Sequence, residues 1–181
     1  MVPLCGTRTN PLMRLKMSRT IIALDVDGVL NANKAGWGRA PTHKHVLDST
    51  LTSYRLSFEW QCITALRDIH TSGLAEIVWS TTWCPDALLL EALWGLPELR
   101  RGWDERPEGG YVGDLKLKVA RDILAEGNRL VWIDDMEVPL SGPLYEELMS
   151  TGRALLIQPQ PSRGLRPDDI ADIKKFCQGN K

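Results

Sequence analysis

Apolar residues gather in four short runs, at 21–24, 75–79 (broken only by Glu76), 130–133 and 154–157. Runs of that length have the character of strands buried on both faces, as in a parallel sheet. Between them, apolar positions return at the helical period. Trp60, Ile63, Leu66 and Ile69 mark a helix over 59–70, which Ser72-Gly73 ends. A second helix is predicted over 86–96, with Pro85 at its start and Gly95-Leu96-Pro97 as its stop. A third runs from Asp114, read as its cap, through Glu126 to a stop at Gly127-Asn128. Two more lie near 142–149 and 168–177. Residues 31–56, rich in Gly, Asn, Thr and Lys, suit a loop or a β-hairpin flap, and 100–113 read as a polar, Gly-bearing loop. This alternation predicts an α/β fold with a parallel sheet and right-handed crossovers. No internal repeat, low-complexity run or second domain is visible.

The chemistry lies where the apolar runs stop. The first ends in Asp25-Val26-Asp27-Gly28. Two acids at the end of a buried strand are costly unless a cation or a charged substrate uses them. In open α/β sheets that end of the strands is where ligands bind. Asp25 and Asp27 therefore point to a metal-assisted active site. An EF-hand loop also begins D-x-D, but it needs glycine at its sixth position, and here Gly28 falls at the fourth. A hairpin turn at Asp27-Gly28 would leave Asp25 unexplained. The second run breaks into Ser80-Thr81-Thr82 and the third into Asp134-Asp135, with Lys116 and Lys118 on the helix between. Singly, each has a plain structural explanation. Ser80-Thr81-Thr82 suits a helix cap, Lys116 a solvated helix face, and Asp134-Asp135 the cap of the next helix.

Composition adds bounds rather than identity. At 181 residues and 43% hydrophobic, the chain fits one domain with a proper core. A net charge of −1 gives no global field toward nucleic acid or membrane. Residues 1–19 carry Arg8, Arg14, Lys16 and Arg19 without an acid, which reads as a flexible basic tail ahead of a domain over 20–181. The tail lacks the long apolar core of a signal peptide, and no segment approaches a membrane span. Cys5, Cys62, Cys84 and Cys177 show no metal-type pairing, so reduced thiols in a cytoplasmic protein are expected. His43 and His45 read as solvated flap residues, and Trp79 and Trp132 as core. Trp37 and Trp83 are better placed to face a ligand, with core packing the expected role of each.

Taken in order, D-x-D-G, strand-end hydroxyl, lysine and D-D resemble the four motifs of the haloacid dehalogenase (HAD) superfamily, over residues 20–178. More narrowly, VWSTTW, GLPEL, LKLKVA, LVWIDD and LLIQ…GLRPDDI are similar to a capless subgroup. That subgroup occurs in phage and actinobacterial proteins and in multidomain RNA-repair proteins. The resemblance implies a three-layer Rossmannoid fold, with helices on both faces of the sheet and no large cap. It also implies an Mg²⁺-dependent phosphomonoester hydrolase working through an aspartyl-phosphate.

Carried over position by position, Asp25 is the nucleophile and Asp27 the general acid and base. Asp25, Asp134 and Asp135 are the side-chain metal ligands, with the main-chain carbonyl of Asp27 as another. Lys116 holds the phosphoryl oxygens, because Leu115-Lys116-Leu117 matches the family's W-K-L, and Lys118 stays open. Thr81 is the strand-end hydroxyl, with Ser80 beside it as the fallback. A two-component receiver domain uses similar groups, but its paired acids come first and its phosphorylated Asp stands alone in mid-chain. A catalytically silent binding module is opposed by the full set of motif acids. A capless site suits a bulky phosphorylated substrate such as an RNA or DNA end, with a nucleotidase acting on small 5′- or 3′-nucleotides as the alternative. The basic tail would add phosphate contacts.

Overall fold

The computed structural model describes residues 18–34, 36–105 and 109–179. Arg8, Arg14 and Lys16 of the expected tail lie outside them. The four apolar runs become β1 (Thr20–Leu24), β4 (Glu76–Trp79), β6 (Arg129–Ile133) and β7 (Ala154–Ile157). Two further strands, β2 (Thr42–Leu47) and β3 (Ser53–Phe58), follow β1, and a short β5 (Arg100–Arg101) follows β4. The helices are α1 (Trp60–Thr71), α2 (Ala87–Trp94), α3 (Val112–Ala125), α4 (Gly142–Ser150) and α5 (Pro167–Gln178). The main sheet has the order β5-β4-β1-β6-β7 and is parallel throughout.

Side-chain alternation along the strands divides the core into two layers. Ile22 and Leu24 of β1 join Ile77, Trp79, Val131 and Ile133 under α1, α2 and α5. Ile21 and Ala23 point the other way, with Val78, Leu130 and Trp132, against α3 and α4. Because β1 is buried on both faces, it carries no polar side chain between Thr20 and Asp25. The result is a three-layer α/β sandwich, as expected.

Three local expectations need correction. Residues 100–101 are an edge strand paired with Val78 and Trp79, not loop. Two arginines give no apolar signal, and on an edge they need none. Helix α3 begins at Val112 after Tyr111, so Asp114 sits in its first turn and is not its cap. The predicted helix over 86–96 is a 3₁₀ turn, Cys84–Asp86, followed by α2, which closes on Gly95 at φ +62°.

The flap is an antiparallel hairpin of β2 and β3. Leu56 and Phe58 turn inward, and Phe58 stacks edge-on to Trp94 with centroids 5.6 Å apart. Between them along the strand, Arg55 and Ser57, paired with His45 and His43, point to the other face, where Arg55 is exposed and Ser57 buried. Asp48 holds the tip by accepting the N–H groups of Thr50 (2.8 Å) and Thr52 (3.0 Å). Ser49 N–H donates to Asp86 Oδ1 at 2.9 Å, tying the tip to the 3₁₀ turn.

Candidate active site

Register places the site. Leu24 of β1 lies beside Trp79 of β4 on one side and Ile133 of β6 on the other. Asp25, Ser80 and Asp134 each follow one residue later, so three polar groups stand side by side at the carboxyl edge of three adjacent strands. Backbone bonds carry the ladder to that edge, from Asp25 N–H to Ile133 O (3.1 Å) and from Ser80 N–H to Leu24 O (2.9 Å). Strands lie about 4.8 Å apart, so consecutive ends are within reach of one ligand.

Lys116 enters from α3. It shares a face with Val119, Ala120 and Ile123, which bury that side of the helix against the sheet. Its Nζ lies 2.6 Å from Asp25 Oδ2 and 2.7 Å from Asp134 Oδ2. Lys116, Asp25 and Asp134 are 7%, 5% and 0% exposed, so this is a buried ion cluster and not surface pairing. Lys118 points to solvent and pairs with Asp122 one turn on. The geometry thus separates the two lysines.

The remaining carboxylate oxygens are held by main-chain donors. Asp25 Oδ1 accepts Val26 N–H at 2.7 Å. Asp134 Oδ1 accepts the N–H groups of Met136 (3.0 Å) and Glu137 (2.8 Å), so it does cap the turn that follows β6. Asp135 lies over Gly28, whose φ is +71° and where a Cβ would fall 2.2 Å from Asp135 Oδ2. Glycine is therefore required there twice over, for backbone conformation and for space.

Charge balance in the cluster sets how readily each of its groups holds a proton. Burial pushes the Asp25 carboxyl up, Lys116 opposes this and Asp134 adds to it, leaving Asp25 at about 7. Burial and then Asp134 also raise Asp135. Burial lowers the Lys116 ammonium, but Asp25 and Asp134 outweigh it and hold the lysine above its usual range. Three carboxylates share one lysine, which leaves the cluster short of positive charge. Oxygens of Asp25, Asp134 and Asp135 lie within 4.8 Å of one another, a hard all-oxygen donor set that fits a divalent cation.

Asp27 stands apart from that trio. Its Oδ1 accepts Asn31 Nδ2 at 2.7 Å and its Oδ2 accepts Trp83 Nε1 at 3.0 Å. Asn31 Oδ1 in turn accepts Ser57 N–H at 2.8 Å, so one side chain joins Asp27 to the flap. Neither Asn31 nor the polar role of Trp83 emerges from the sequence, although Asn31 ends the same DGVLN segment. Trp83 is buried, and Tyr54 of the flap packs edge-on against it at 5.0 Å. Trp37 is structural, donating Nε1–H to Leu165 O at 2.8 Å. Trp79 and Trp132 are core, and His43 and His45 are exposed on β2.

The strand-end hydroxyls differ. Thr81 is fully buried, and its Oγ1 accepts Trp83 N–H at 3.4 Å, as a turn cap does. Ser80 is equally buried, but its Oγ has no hydrogen-bond partner among the described residues. A buried hydroxyl without a partner is uncommon and marks a place where its O–H could donate to a ligand oxygen.

Comparison with known proteins agrees with the arrangement. The family model described as "HAD domain in Swiss Army Knife RNA repair proteins" matches residues 21–170. No curated protein matches. A solved structure of a hypothetical protein from Xanthomonas campestris is similar over 95% of this chain and 93% of its own, at 14% identity and a TM-score of 0.45. Among the described residues no helix is long and apolar enough to cross a membrane. The match over 150 consecutive residues, on a sheet whose strand ends carry the D-x-D and D-D acids, settles the affiliation. The chain belongs to the HAD family, among the HAD domains of Swiss Army Knife RNA repair proteins.

Proposed function

We propose that this chain is an Mg²⁺-dependent phosphomonoester hydrolase that forms an aspartyl-phosphate on Asp25 and acts on nucleic-acid ends. The observation that carries the reading is the buried cluster of Asp25, Asp134 and Lys116, with Asp135 beside it and a deficit of positive charge. A phosphate dianion approaching carboxylates needs that deficit filled. Asp25, Asp134 and Asp135 would hold Mg²⁺, which supplies positive charge to the phosphoryl oxygens.

The chain's own groups then divide the work. An oxygen of Asp25 attacks phosphorus, the bond to the leaving oxygen breaks, and Asp27 gives that oxygen its proton. Water attacks phosphorus of the acyl phosphate, Asp27 takes the water proton, and Asp25 is released as carboxylate. Lys116 holds phosphoryl oxygens through both steps, and the Thr81 or Ser80 hydroxyl donates to a third. Asn31 and Trp83 keep the Asp27 carboxylate turned toward the leaving group.

Two facts favour nucleic-acid ends over small nucleotides. The family description names RNA repair proteins, and the segment between β1 and α1 holds only a two-stranded hairpin where a cap domain would enclose a small substrate. Phosphate release should be compared among oligonucleotides phosphorylated at either end, mononucleotides and phosphopeptides, each in Mg²⁺. Faster release from the oligonucleotide supports the reading. Equal or faster release from the mononucleotide makes the chain a nucleotidase. No release from any substrate makes it a binding module.

A further inference from the structure

Asp27 itself lines one hollow, and a second, larger one is joined to it through Asn31. The smaller, about 130 Å³, is lined by Asp27, Asp48 and Asp86 together with Tyr54, Thr82 and Trp83. Two of these carboxylates already have work in the flap: Asp48 accepts the N–H groups of Thr50 and Thr52, and Asp86 accepts Ser49 N–H. The larger, about 680 Å³, lies between the outer face of the flap and residues 161–162. Its polar lining comes from Asn31, Asn33, His43, Arg55, Ser57 and Ser162, with no carboxylate among them.

The second groove is built rather than incidental. Its far wall is fixed by Lys34 N–H to Ser162 O (2.8 Å) and Leu165 N–H to Val29 O (2.9 Å). Gly164 at φ +64° comes so near that a Cβ would fall 2.3 Å from Val29 O. His43, which lines the groove, has Nδ1 engaged with Ser57 Oγ at 2.9 Å, which fixes the ring and leaves Nε2 outside that bond. The Arg55 side chain makes no hydrogen bond or ion pair among the described residues, and it stands on the exposed side of β3. A guanidinium without a carboxylate, flanked by amide, imidazole and hydroxyl groups, matches the oxygens of a phosphodiester. Asn31 lines this groove and also bonds Asp27, so one side chain joins the groove to the reacting centre.

We propose that this groove is a phosphodiester subsite, holding the phosphate next to the terminal one on an oligonucleotide whose end lies at Asp25. The proposal rests on the reading of the site as a phosphatase for nucleic-acid ends. On this reading the chain of the substrate leaves along the outer face of the flap, past Arg55 and His43.

The test uses full-length Asp25→Asn protein in Mg²⁺, so that bound substrate persists, and a fluorescent single-stranded oligonucleotide with a terminal phosphate. Affinity is measured over a range of salt, with the matching mononucleotide and an acidic phosphopeptide as competitors. One lost phosphate contact on a single strand reduces the slope of log Kd against log salt by about 0.7. Arg55→Ala in this background should show that loss, and Arg55→Lys should retain the slope. An unchanged slope in Arg55→Ala, with the oligonucleotide still outcompeting the mononucleotide, overturns the subsite and leaves the nucleic-acid reading standing. Equal competition by the mononucleotide overturns both. Stronger competition by the phosphopeptide, itself sensitive to Arg55→Ala, assigns the groove to a protein ligand and overturns the oligonucleotide proposal.

Discussion

Trp83 donates its indole N–H to Asp27 Oδ2 at 3.0 Å, across 56 residues of sequence. With Asn31 on the other oxygen, the Asp27 carboxylate is held from both sides although the residue itself is exposed. The same indole carries Tyr54 of the flap edge-on. Orientation of the proposed acid and placement of the flap are therefore linked through one ring.

Trp83→Phe keeps the ring and removes the donor. A misplaced reacting group costs up to roughly 10²-fold, so the loss in kcat should be about tenfold to a hundredfold. Asp27→Asn should cost more, roughly 10²–10⁴-fold, because the proton itself is lost. Both losses should be larger for an alkyl phosphate than for an aryl phosphate with a good leaving group. Parallel assays on the two substrates check this, and equal losses on both would remove Asp27 from the acid role.

Lys116→Met should cost stability as well as activity. Breaking a buried ion cluster by removing one partner typically costs about 3–5 kcal/mol, because the carboxylates left behind are unpaired. Urea melts in chelator should show the loss, and added Mg²⁺ should restore part of it by supplying charge to Asp25 and Asp134. Lys118→Met, at a solvated position, should leave the melt unchanged. Similar melts for both variants would contradict the assignment.

Gly28→Ala places a methyl where Asp135 Oδ2 sits, at a φ of +71° that side chains rarely adopt. Asp135 has to move, so Mg²⁺ affinity should fall at least tenfold while the far-ultraviolet circular dichroism spectrum stays that of the parent. Isothermal titration with Mg²⁺ reads the affinity directly.

The pH dependence of stability follows from Asp25. Its folded-state pKa of about 7 stands above its ordinary value of 3.8, so the folded chain favours the protonated form. The stability this contributes is complete below the ordinary value and is lost as pH rises through about 7. Asn cannot ionise and avoids that loss. In chelator, Asp25→Asn should gain stability relative to the parent between pH 5 and pH 8. Lys116, raised above a usual value that is already far higher, contributes nothing to the change in this window. A stability difference that is flat with pH would remove the shift.

Much of the fold and site is legible in the sequence itself. The runs in β1, β4, β6 and β7 announce a buried parallel sheet because both faces of each strand are covered. Asp25, Ser80 and Asp134 stand out because polar groups follow such runs abruptly. The face of Lys116 is also readable, since Val119, Ala120 and Ile123 lie three, four and seven residues on and Lys118 has none of that pattern. What stayed hidden depends on tertiary placement. Arg100-Arg101 becomes a strand only because Val78 and Trp79 offer an open edge. The donors on Asp27 are invisible in sequence because Trp83 reaches it from another strand end. The groove joined to Asp27 through Asn31 needs the flap folded over the sheet.

The central claim is that Asp25 is the phosphoryl acceptor in a magnesium-assisted site. Phosphate release from an aryl phosphate, measured side by side for the parent and Asp25→Asn with Mg²⁺ and with excess chelator, tests it most directly. The account predicts turnover in the parent with Mg²⁺ alone, and none above background in the other three samples. Turnover that persists in chelator, or in folded Asp25→Asn, would contradict it.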